Sequence, residues 1–369
     1  MRKRGDIKFT FPLDGVMLTD AAGEKTDEGL LINAWVDAPG GRRYFLNGAP
    51  MSEHMNGSYK CPIVIRDYKT TLELVDAENG YSQKIDVYYL KKGAYKYRFS
   101  LDDNIWFLQD LALNRDKYGS MFENPYLALI KSIHEKHGTK FHLNIYWETP
   151  RNGGFCIKDM PDRYKDEFID NSDWIRISFH ANANEPQRPY THVSYDQMYF
   201  EAERINKEIV RFAGEQTFSK TVCTIHWGDV STEGAKALRD LGYKAFVTTF
   251  NWNRADGVDL RSYLGDREVN ILQKYGFWYD KEYDIYHFRY NDGIQRIPPS
   301  SIYRLFDDTE SSYPLYRFKD ICLHEQYFYP DYSRHQPNYF EKMDTACSWC
   351  DEHGYKPIFM DELFEFNTH

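Results

Sequence analysis

The stretch Tyr97–Asn104, YRFSLDDN, alternates apolar and polar residues and then ends in two adjacent carboxylates. The alternation predicts a β-strand with one buried face. Like charges side by side at a strand end repel each other, and such a pair is favoured only when something nearby binds it. Asp102 and Asp103 therefore indicate a functional group at the carboxyl end of this strand.

Strand-like and helix-like segments alternate on the C-terminal side of this stretch. Residues 124–138 are typical of a helix, with Asn124 as N-cap, Pro125 in the first position and Gly138 past the end. A second helix is predicted to begin after Ser194, and its apolar stripe is Met198, Ala202, Ile205, Ile209 and Phe212. Repeated βα units of this kind predict parallel strands in an open or closed (β/α) barrel.

The segment before this α/β region has a different pattern of apolar and turn-forming residues. Residues 1–93 contain short alternating runs separated by turn clusters, which predicts an antiparallel β-sandwich domain. Residues 94–369 then form the barrel domain. Around residues 270–300 the chain is aromatic, charged and rich in turns, and we expect a β-hairpin insertion that lies over one face of the barrel.

Composition narrows the class of partner. The formal net charge is −10, and without a basic patch we expect no nucleic-acid partner and no membrane partner. Aromatic residues make up 17% of the chain, which slightly favours a carbohydrate partner because aromatic rings stack on sugars. Six scattered cysteines and the lack of a signal-peptide pattern indicate a cytoplasmic protein with reduced thiols. The chain could also form a homo-oligomer.

Polar or aromatic side chains follow each predicted parallel strand. In an α/β barrel the carboxyl ends of the strands form one rim, where functional groups gather. The residues at these ends are Asp102 and Asp103, Trp147 and Glu148, His180, His226 and Trp227, Asn251 and Trp252, and His324 and Glu325. We expect Trp147 and Trp227 to line a sugar-binding cleft, with Glu148 and His226 beside them in contact with substrate.

Three of these strand ends carry motifs that resemble a known family. The stretches FSLDD, ISFHANAN and ICLHEQYF are similar to motifs one, two and five of the polysaccharide deacetylase superfamily, also called NodB-homology and carbohydrate esterase family 4-like. The resemblance covers residues 94–369 and is closest to a divergent branch. It implies a distorted (β/α)7-type barrel and a metal-dependent hydrolase that removes N- or O-acetyl groups from a carbohydrate.

The resemblance also implies roles for particular residues. Asp102 would be the general base and His324 the general acid, while Asp103 and His180 would bind a divalent metal. We expect zinc, with manganese, nickel and cobalt as alternatives. The third ligand stays open between Asn184, which stands where the family has a histidine, and His192 in the following loop.

The motifs also depart from the family pattern. In TIHWGD, His226 stands where the family has an arginine and Trp227 replaces a proline, and motif four is at best Asn251–Asn253. Two alternative functions therefore remain. One is a catalytically degraded carbohydrate-binding or regulatory relative, and the other is a glycoside hydrolase that pairs Glu148 with Asp102 or Glu325.

Overall fold

The protein is described by a computed structural model that covers residues 7–249 and 260–365. Within these ranges the chain is a mixed α/β structure with several sheets. Among the helices described, none has the length and apolarity needed to cross a membrane. The predicted strand end at Asn251 and Trp252, and the motif-four candidate Asn251–Asn253, lie outside the described residues.

The N-terminal part consists of ten strands in two five-stranded sheets. The strands are β1 (Lys8–Phe11), β2 (Met17–Thr19), β3 (Glu24–Thr26), β4 (Gly29–Asp37), β5 (Tyr44–Leu46), β6 (Ala49–Pro50), β7 (Ser52–Met55), β8 (Ser58–Ile65), β9 (Lys69–Asp76) and β10 (Ser82–Leu90). One sheet has the order β1-β4-β8-β7 with β3 also on β4, and the other has the order β2-β10-β9-β5-β6. All neighbours are antiparallel except β2 and β10.

The remaining elements alternate between strands and helices. They are β11 (Lys96–Asn104), α1 (Trp106–Leu113), α2 (Pro125–His137), β12 (Phe141–Tyr146), β13 (Glu148–Thr149), β14 (Phe155–Cys156), α3 (Lys165–Asp170), β15 (Ile175–Ala181), α4 (Tyr195–Ala213), β16 (Val222–Cys223), α5 (Thr232–Asp240), β17 (Ala245–Thr248), α6 (Asp266–Tyr275), β18 (Phe277–Asp280), β19 (Ile285–Arg289), β20 (Asp292–Gly293), α7 (Ile302–Ser312), β21 (Phe318–His324), α8 (Tyr339–Glu352) and β22 (Lys356–Pro357).

Helix ends follow the capping signals in the sequence. The Asn124 side chain accepts a hydrogen bond from the Leu127 N–H at the start of α2, and Gly138 ends this helix with a φ of 68°. The Ser194 hydroxyl caps α4 by accepting from the Gln197 N–H at 3.3 Å. The whole predicted apolar stripe of α4 is buried, so both helix predictions are confirmed.

The parallel strands form two sheets and not one closed barrel. The first has the order β15-β12-β11-β21-β20, with β22 also paired to β11, and the second has the order β16-β17-β19-β18. Strand β16 has only two residues, and the chain just before it pairs with β15 through an isolated bridge between Ile177 and Phe218. The α/β class is confirmed, but no closed barrel is present among the described strands.

The segment around residues 270–300 differs from the expected insertion. Strands β18 and β19 do form an antiparallel hairpin, but β19 also pairs in parallel with β17 and therefore belongs to the second sheet. The residues just before the hairpin form α6, because Val269, Leu272 and Tyr275 have helical spacing and all three are buried.

Helix α6 connects the two parts of the chain. Its residues Val269, Leu272 and Tyr275 lie in the same hydrophobic core as Leu30 and Val87 of the N-terminal sheets. The N-terminal sheets therefore share their interior with residues far beyond position 93.

Candidate metal centre

The carboxyl ends of four adjacent parallel strands lie at one edge of the first sheet. Strands β15, β12, β11 and β21 are neighbours in that order, so the side chains at their ends are brought together. These strands deliver His180, Tyr146, the pair Asp102 and Asp103, and His324.

The end of β11 contains a bulge that separates the two aspartates. Asp102 is still paired in register with His324 of β21, whereas the register with β12 shifts between Leu101 and Asn104. Asp103 has a φ of 62°, a left-handed conformation that is uncommon for a residue other than glycine. A bulge of this kind changes the direction in which a side chain points. As a result, the carboxylates of Asp102 and Asp103 lie in two different groups of polar side chains.

Asp103, His180 and His226 form the first group. One Asp103 carboxylate oxygen lies 3.1 Å from Nε2 of His180 and 3.4 Å from Nδ1 of His226. The two histidine nitrogens are 3.1 Å apart, and all three side chains are buried. Two imidazole nitrogens and one carboxylate oxygen that converge on one point are a ligand set typical of zinc and related divalent metals.

Backbone contacts orient His180 toward this point. Its Nδ1 donates a hydrogen bond to the carbonyl oxygen of Thr224, which leaves Nε2 directed at Asp103. Metal-binding histidines commonly use the second ring nitrogen in this way to fix the ring.

Tyr146 contributes a hydroxyl group that the sequence did not single out as part of a metal group. It donates a hydrogen bond to the Asp103 carboxylate, and its oxygen also lies 3.2 Å from Nδ1 of His226. Tyr146 also donates a hydrogen bond to the Asn184 side-chain oxygen, at 3.3 Å. Tyr146 thus links the metal group to the loop that follows β15.

Opposite charges around Asp103 keep it ionised. Burial would raise the pKa of Asp103, but the charge of His324 and the hydrogen bonds from His180 and His226 hold this pKa well below its usual range. Burial lowers the pKa of His226, which keeps that ring in the neutral form that binds metals. Burial also lowers the pKa of His180, but contacts with Asp103 and the charge of Asp102 raise it overall.

The second group consists of Asp102, Cys322 and His324, whose polar side-chain atoms lie within 4.8 Å of one another. One oxygen of Asp102, Oδ1, accepts hydrogen bonds from the Ser100 hydroxyl and the Asn144 amide, both at 2.7 Å. Within residues 7–249 and 260–365, the other oxygen, Oδ2, accepts a hydrogen bond only from the Cys322 thiol, at 3.2 Å. A thiol is a weak donor, so Oδ2 retains capacity to accept a proton.

His324 is half-buried at the end of β21. Its Nδ1 is shielded from solvent and has no hydrogen-bond partner among the described residues. The ring packs edge-on against Tyr327, with 5.6 Å between the ring centroids. Together with its place beside Asp102 and Cys322, this leaves the Nδ1 atom of His324 with unused hydrogen-bonding capacity at the strand end.

The structure places a histidine other than the expected His192 next to Asp103 and His180. His192 is exposed and takes no part in either group, and Asn184 is exposed at the edge of the first one. The third member of the first group is His226, for which the sequence predicted substrate contact. The reason is a tight turn after β16, in which Trp227 has a φ of 66° and directs His226 inward.

Three other predicted substrate-binding residues lie around the site. Trp147 is half-buried, and the Arg204 guanidinium covers its ring at 4.3 Å. Glu148 is exposed and accepts a hydrogen bond from the Asn182 side chain at 3.4 Å. Trp227 is half-buried, with its ring centroid 6.1 Å from that of His226.

Glu325 has a structural role. Its carboxylate accepts hydrogen bonds from the backbone N–H groups of Ile105, Trp106 and Phe107 at the start of α1, and from the Tyr329 hydroxyl. Burial raises the pKa of Glu325 to about 7. Because both of its oxygens are occupied by the helix end, Glu325 does not form the carboxylate pair of a glycoside hydrolase.

A network of buried polar side chains extends from Asp102 into the interior of the first sheet. Asn144 accepts from the Ser178 hydroxyl at 2.8 Å, Ser178 contacts His142 at 2.9 Å, and His142 contacts Arg98 at 3.1 Å. Arg98 forms a fully buried ion pair with Asp320 at 2.9 Å, while burial raises the pKa of Asp320 to about 6. In the sequence, the signal of this network is a set of polar residues inside otherwise apolar strands.

Comparisons with known proteins do not assign a family. No model of a known protein family matches the chain, and no curated protein matches it. Among solved structures, a 4-alpha-glucanotransferase from Thermococcus litoralis is 13% identical, with a TM-score of 0.46 over 74% of this chain. This chain spans only 41% of the length of that enzyme.

Two further solved structures are similar at a lower level. A proposed polysaccharide deacetylase of O-antigen biosynthesis from Bordetella bronchiseptica is 10% identical, with a TM-score of 0.34 over 71% of this chain and 91% of that one. A proposed alpha-galactosidase from Bacteroides fragilis is 10% identical, with a TM-score of 0.25 over 95% of this chain and 79% of that one. These values are too low to transfer a function to this chain.

Proposed function

We propose that this protein is a metal-dependent hydrolase that removes N- or O-acetyl groups from a carbohydrate. The observation that carries the proposal is the convergence of Asp103, His180 and His226 on one buried point, directly beside a second group that contains Asp102 and His324. One group has the composition of a metal site, and the other supplies a carboxylate and an imidazole for proton transfer.

The donor set fits a divalent metal, with zinc favoured and manganese, nickel or cobalt as alternatives. Asp103 and the two histidines would hold it, and Tyr146 would orient the Asp103 carboxylate through its hydrogen bond. A bound divalent metal would lower the pKa of a water ligand and polarise the acyl carbonyl group.

Asp102 is the proposed general base. Its Oδ1 is held by Ser100 and Asn144, so the carboxylate has a fixed orientation. Its Oδ2 would take the proton from the water that attacks the acyl carbon. Since Asp102 and Asp103 belong to different groups, one aspartate handles the proton while the other stays ionised as a ligand.

His324 is the proposed general acid. When the bond between the acyl carbon and the sugar nitrogen or oxygen breaks, the protonated ring would give its proton to the leaving amine or alcohol, and acetate would be the second product. The position of His324 at the end of β21, half-buried and grouped with Asp102, supports this role.

A carbohydrate substrate is supported by the motif resemblance and by aromatic side chains beside His324. Tyr327 and Tyr332 are both half-buried, with their ring centroids 5.6 Å apart. Half-exposed tyrosine rings present an apolar face and a polar hydroxyl, which suits a sugar ring.

The experiment measures metal content and product together. The purified protein would be stripped with a chelator, reloaded with zinc, manganese, nickel or cobalt, and incubated with N-acetylated chitooligosaccharides and O-acetylated xylooligosaccharides. We expect one tightly bound metal per chain and release of acetate only from the metal-loaded protein. New reducing ends without acetate would indicate a glycoside hydrolase, and tight metal binding without any product would indicate a degraded relative.

A further inference from the structure

A cavity of about 680 Å³ lies next to Tyr327, a residue whose ring packs against that of His324. It is formed by the chain that follows β20 and by the segment that leads from β21 into α8. The residues that line it are Gln295, Arg296, Pro298, Tyr327, Arg334, His335, Gln336, Pro337, Asn338 and Lys342.

The lining of this cavity is cationic. Arg296, Arg334 and Lys342 contribute three positive charges, and the lining contains no aspartate or glutamate. Across residues 7–249 and 260–365, none of these three side chains forms an ion pair with a carboxylate. The chain as a whole carries a net charge of −10. The surface around this cavity is therefore locally positive on a protein that is negative overall.

Lys342 is the least expected of the three cations. It is only 4% exposed and lies in the first turns of α8, where the helix dipole disfavours a positive charge. Its ammonium group donates to the backbone carbonyls of Ile294 and Gln295 and to the Gln336 side chain, which are all neutral acceptors. A buried cation without an anionic partner is costly, and an anion in the cavity would compensate it.

The same cavity adjoins the proposed acid. Tyr327 lines it and packs edge-on against His324, with ring centroids 5.6 Å apart. We expect a sugar chain whose leaving group contacts His324 to extend past Tyr327 toward this cavity.

We propose that this cavity binds an anionic group on the sugar chain, so that the substrate is an acidic glycan. Arg296 and Arg334 are exposed, and their guanidinium groups would contact the anion directly, since guanidinium matches carboxylate, sulfate and phosphate geometry. Lys342 would act through its charge, because its donors are already engaged. This inference rests on the proposed function for its link to a glycan.

The test is a binding measurement with the full-length, metal-loaded protein by isothermal titration calorimetry. The probes are trigalacturonate, which carries a carboxylate on every sugar, the neutral trisaccharide maltotriose, and inorganic sulfate. None of them carries an acyl group, so binding does not depend on hydrolysis. The variants are R296Q, R334Q and the double variant, with R66Q as a matched control that removes an exposed charge from the N-terminal part.

We expect trigalacturonate to bind at least ~10-fold more tightly than either maltotriose or sulfate, and each cavity variant to weaken this binding by ~10-fold. R66Q should bind as the parent does. The inference is wrong if maltotriose binds equally well, if sulfate matches trigalacturonate, or if the double variant binds like the parent. Any of these results would leave the metal-dependent hydrolysis untouched, since that activity is measured as acetate release.

Discussion

Asp102 and Asp103 are adjacent in sequence, yet their carboxylates belong to different groups. Asp102 lies with Cys322 and His324, while Asp103 lies with His180 and His226. The bulge at the end of β11 and the φ of 62° at Asp103 produce this separation. Replacement of Asp102 and replacement of Asp103 are therefore expected to have different effects on metal binding and catalysis.

Replacement of each aspartate by asparagine tests this division. D103N should abolish tight metal binding, because the amide has no charge to offer a cation. D102N should keep the metal but lower kcat by ~10²–10⁴-fold, the usual effect of losing a general base. Metal analysis and acetate-release rates on both variants distinguish the roles, and equal metal loss in both would show that the carboxylates act as one group.

The third ligand is tested by two histidine variants. H226A should weaken metal binding by at least ~100-fold, since removal of groups that only support ligands already costs 10–100-fold. H192A is the matched control, because His192 is exposed and outside the metal group, and it should bind metal as the parent does. Competition with a chelator gives both affinities, and the reverse pattern would return His192 to the ligand set.

The acid role of His324 predicts a dependence on the leaving group. H324Q should lower hydrolysis of an N-acetylated sugar by ~10²–10⁴-fold, because an amine must be protonated to leave. Hydrolysis of p-nitrophenyl acetate should fall far less, because its leaving group departs as a stable anion. If both substrates lose the same factor, His324 supports the site in another way.

Glu325 is expected to matter for stability and not for chemistry. E325A would leave three backbone N–H groups of α1 without an acceptor and should destabilise the fold by at least ~3 kcal/mol in urea unfolding. E325Q keeps one acceptor oxygen and should lose less. Its acetate-release rate per folded molecule should stay within ~10-fold of the parent, whereas a catalytic carboxylate would cost ~10²–10⁴-fold.

His287 predicts a loss of stability in acid. It is fully buried between Thr248 and Tyr263, and burial lowers its pKa to about 3. The folded state thus keeps the ring neutral while the unfolded chain takes up a proton below pH ~6.5. Its contribution is complete above that pH and is lost progressively as the pH falls from ~6.5 toward 3.

At pH 5 this loss amounts to ~2 kcal/mol relative to pH 8. H287Q should reduce the difference in unfolding free energy between these pH values by that amount, measured with urea at each pH. The exposed His192→Gln serves as control and should keep the parental difference. An unchanged difference in H287Q would place the acid sensitivity elsewhere.

Local signals in the sequence were sufficient for much of the α/β region. Asn124, Gly138 and Ser194 act within a few residues of their own position, so the ends of α2 and the start of α4 were predictable. The strand-end positions of Asp103, His180 and His324 were also predictable, because strands in one parallel sheet end at the same edge.

The parts that were missed depend on contacts between distant residues. His226 enters the metal group through a turn whose shape depends on a positive φ at Trp227, a residue type that rarely adopts it. From its position after a strand, Glu325 was predicted as a functional carboxylate. Its hydrogen-bond donors are the N–H groups at the start of α1, which lie more than two hundred residues earlier in the sequence. Likewise, no local pattern shows that β19 pairs with β17.

The shared core around α6 has a consequence for how this protein can be divided. A chain cut after residue 93 would leave Val269, Leu272 and Tyr275 facing water on an apolar surface that the N-terminal strands normally cover. We therefore expect that the two parts on either side of the predicted boundary at residue 93 do not fold independently of each other. The N-terminal strands shield from water the apolar face of the helix that leads into the second sheet.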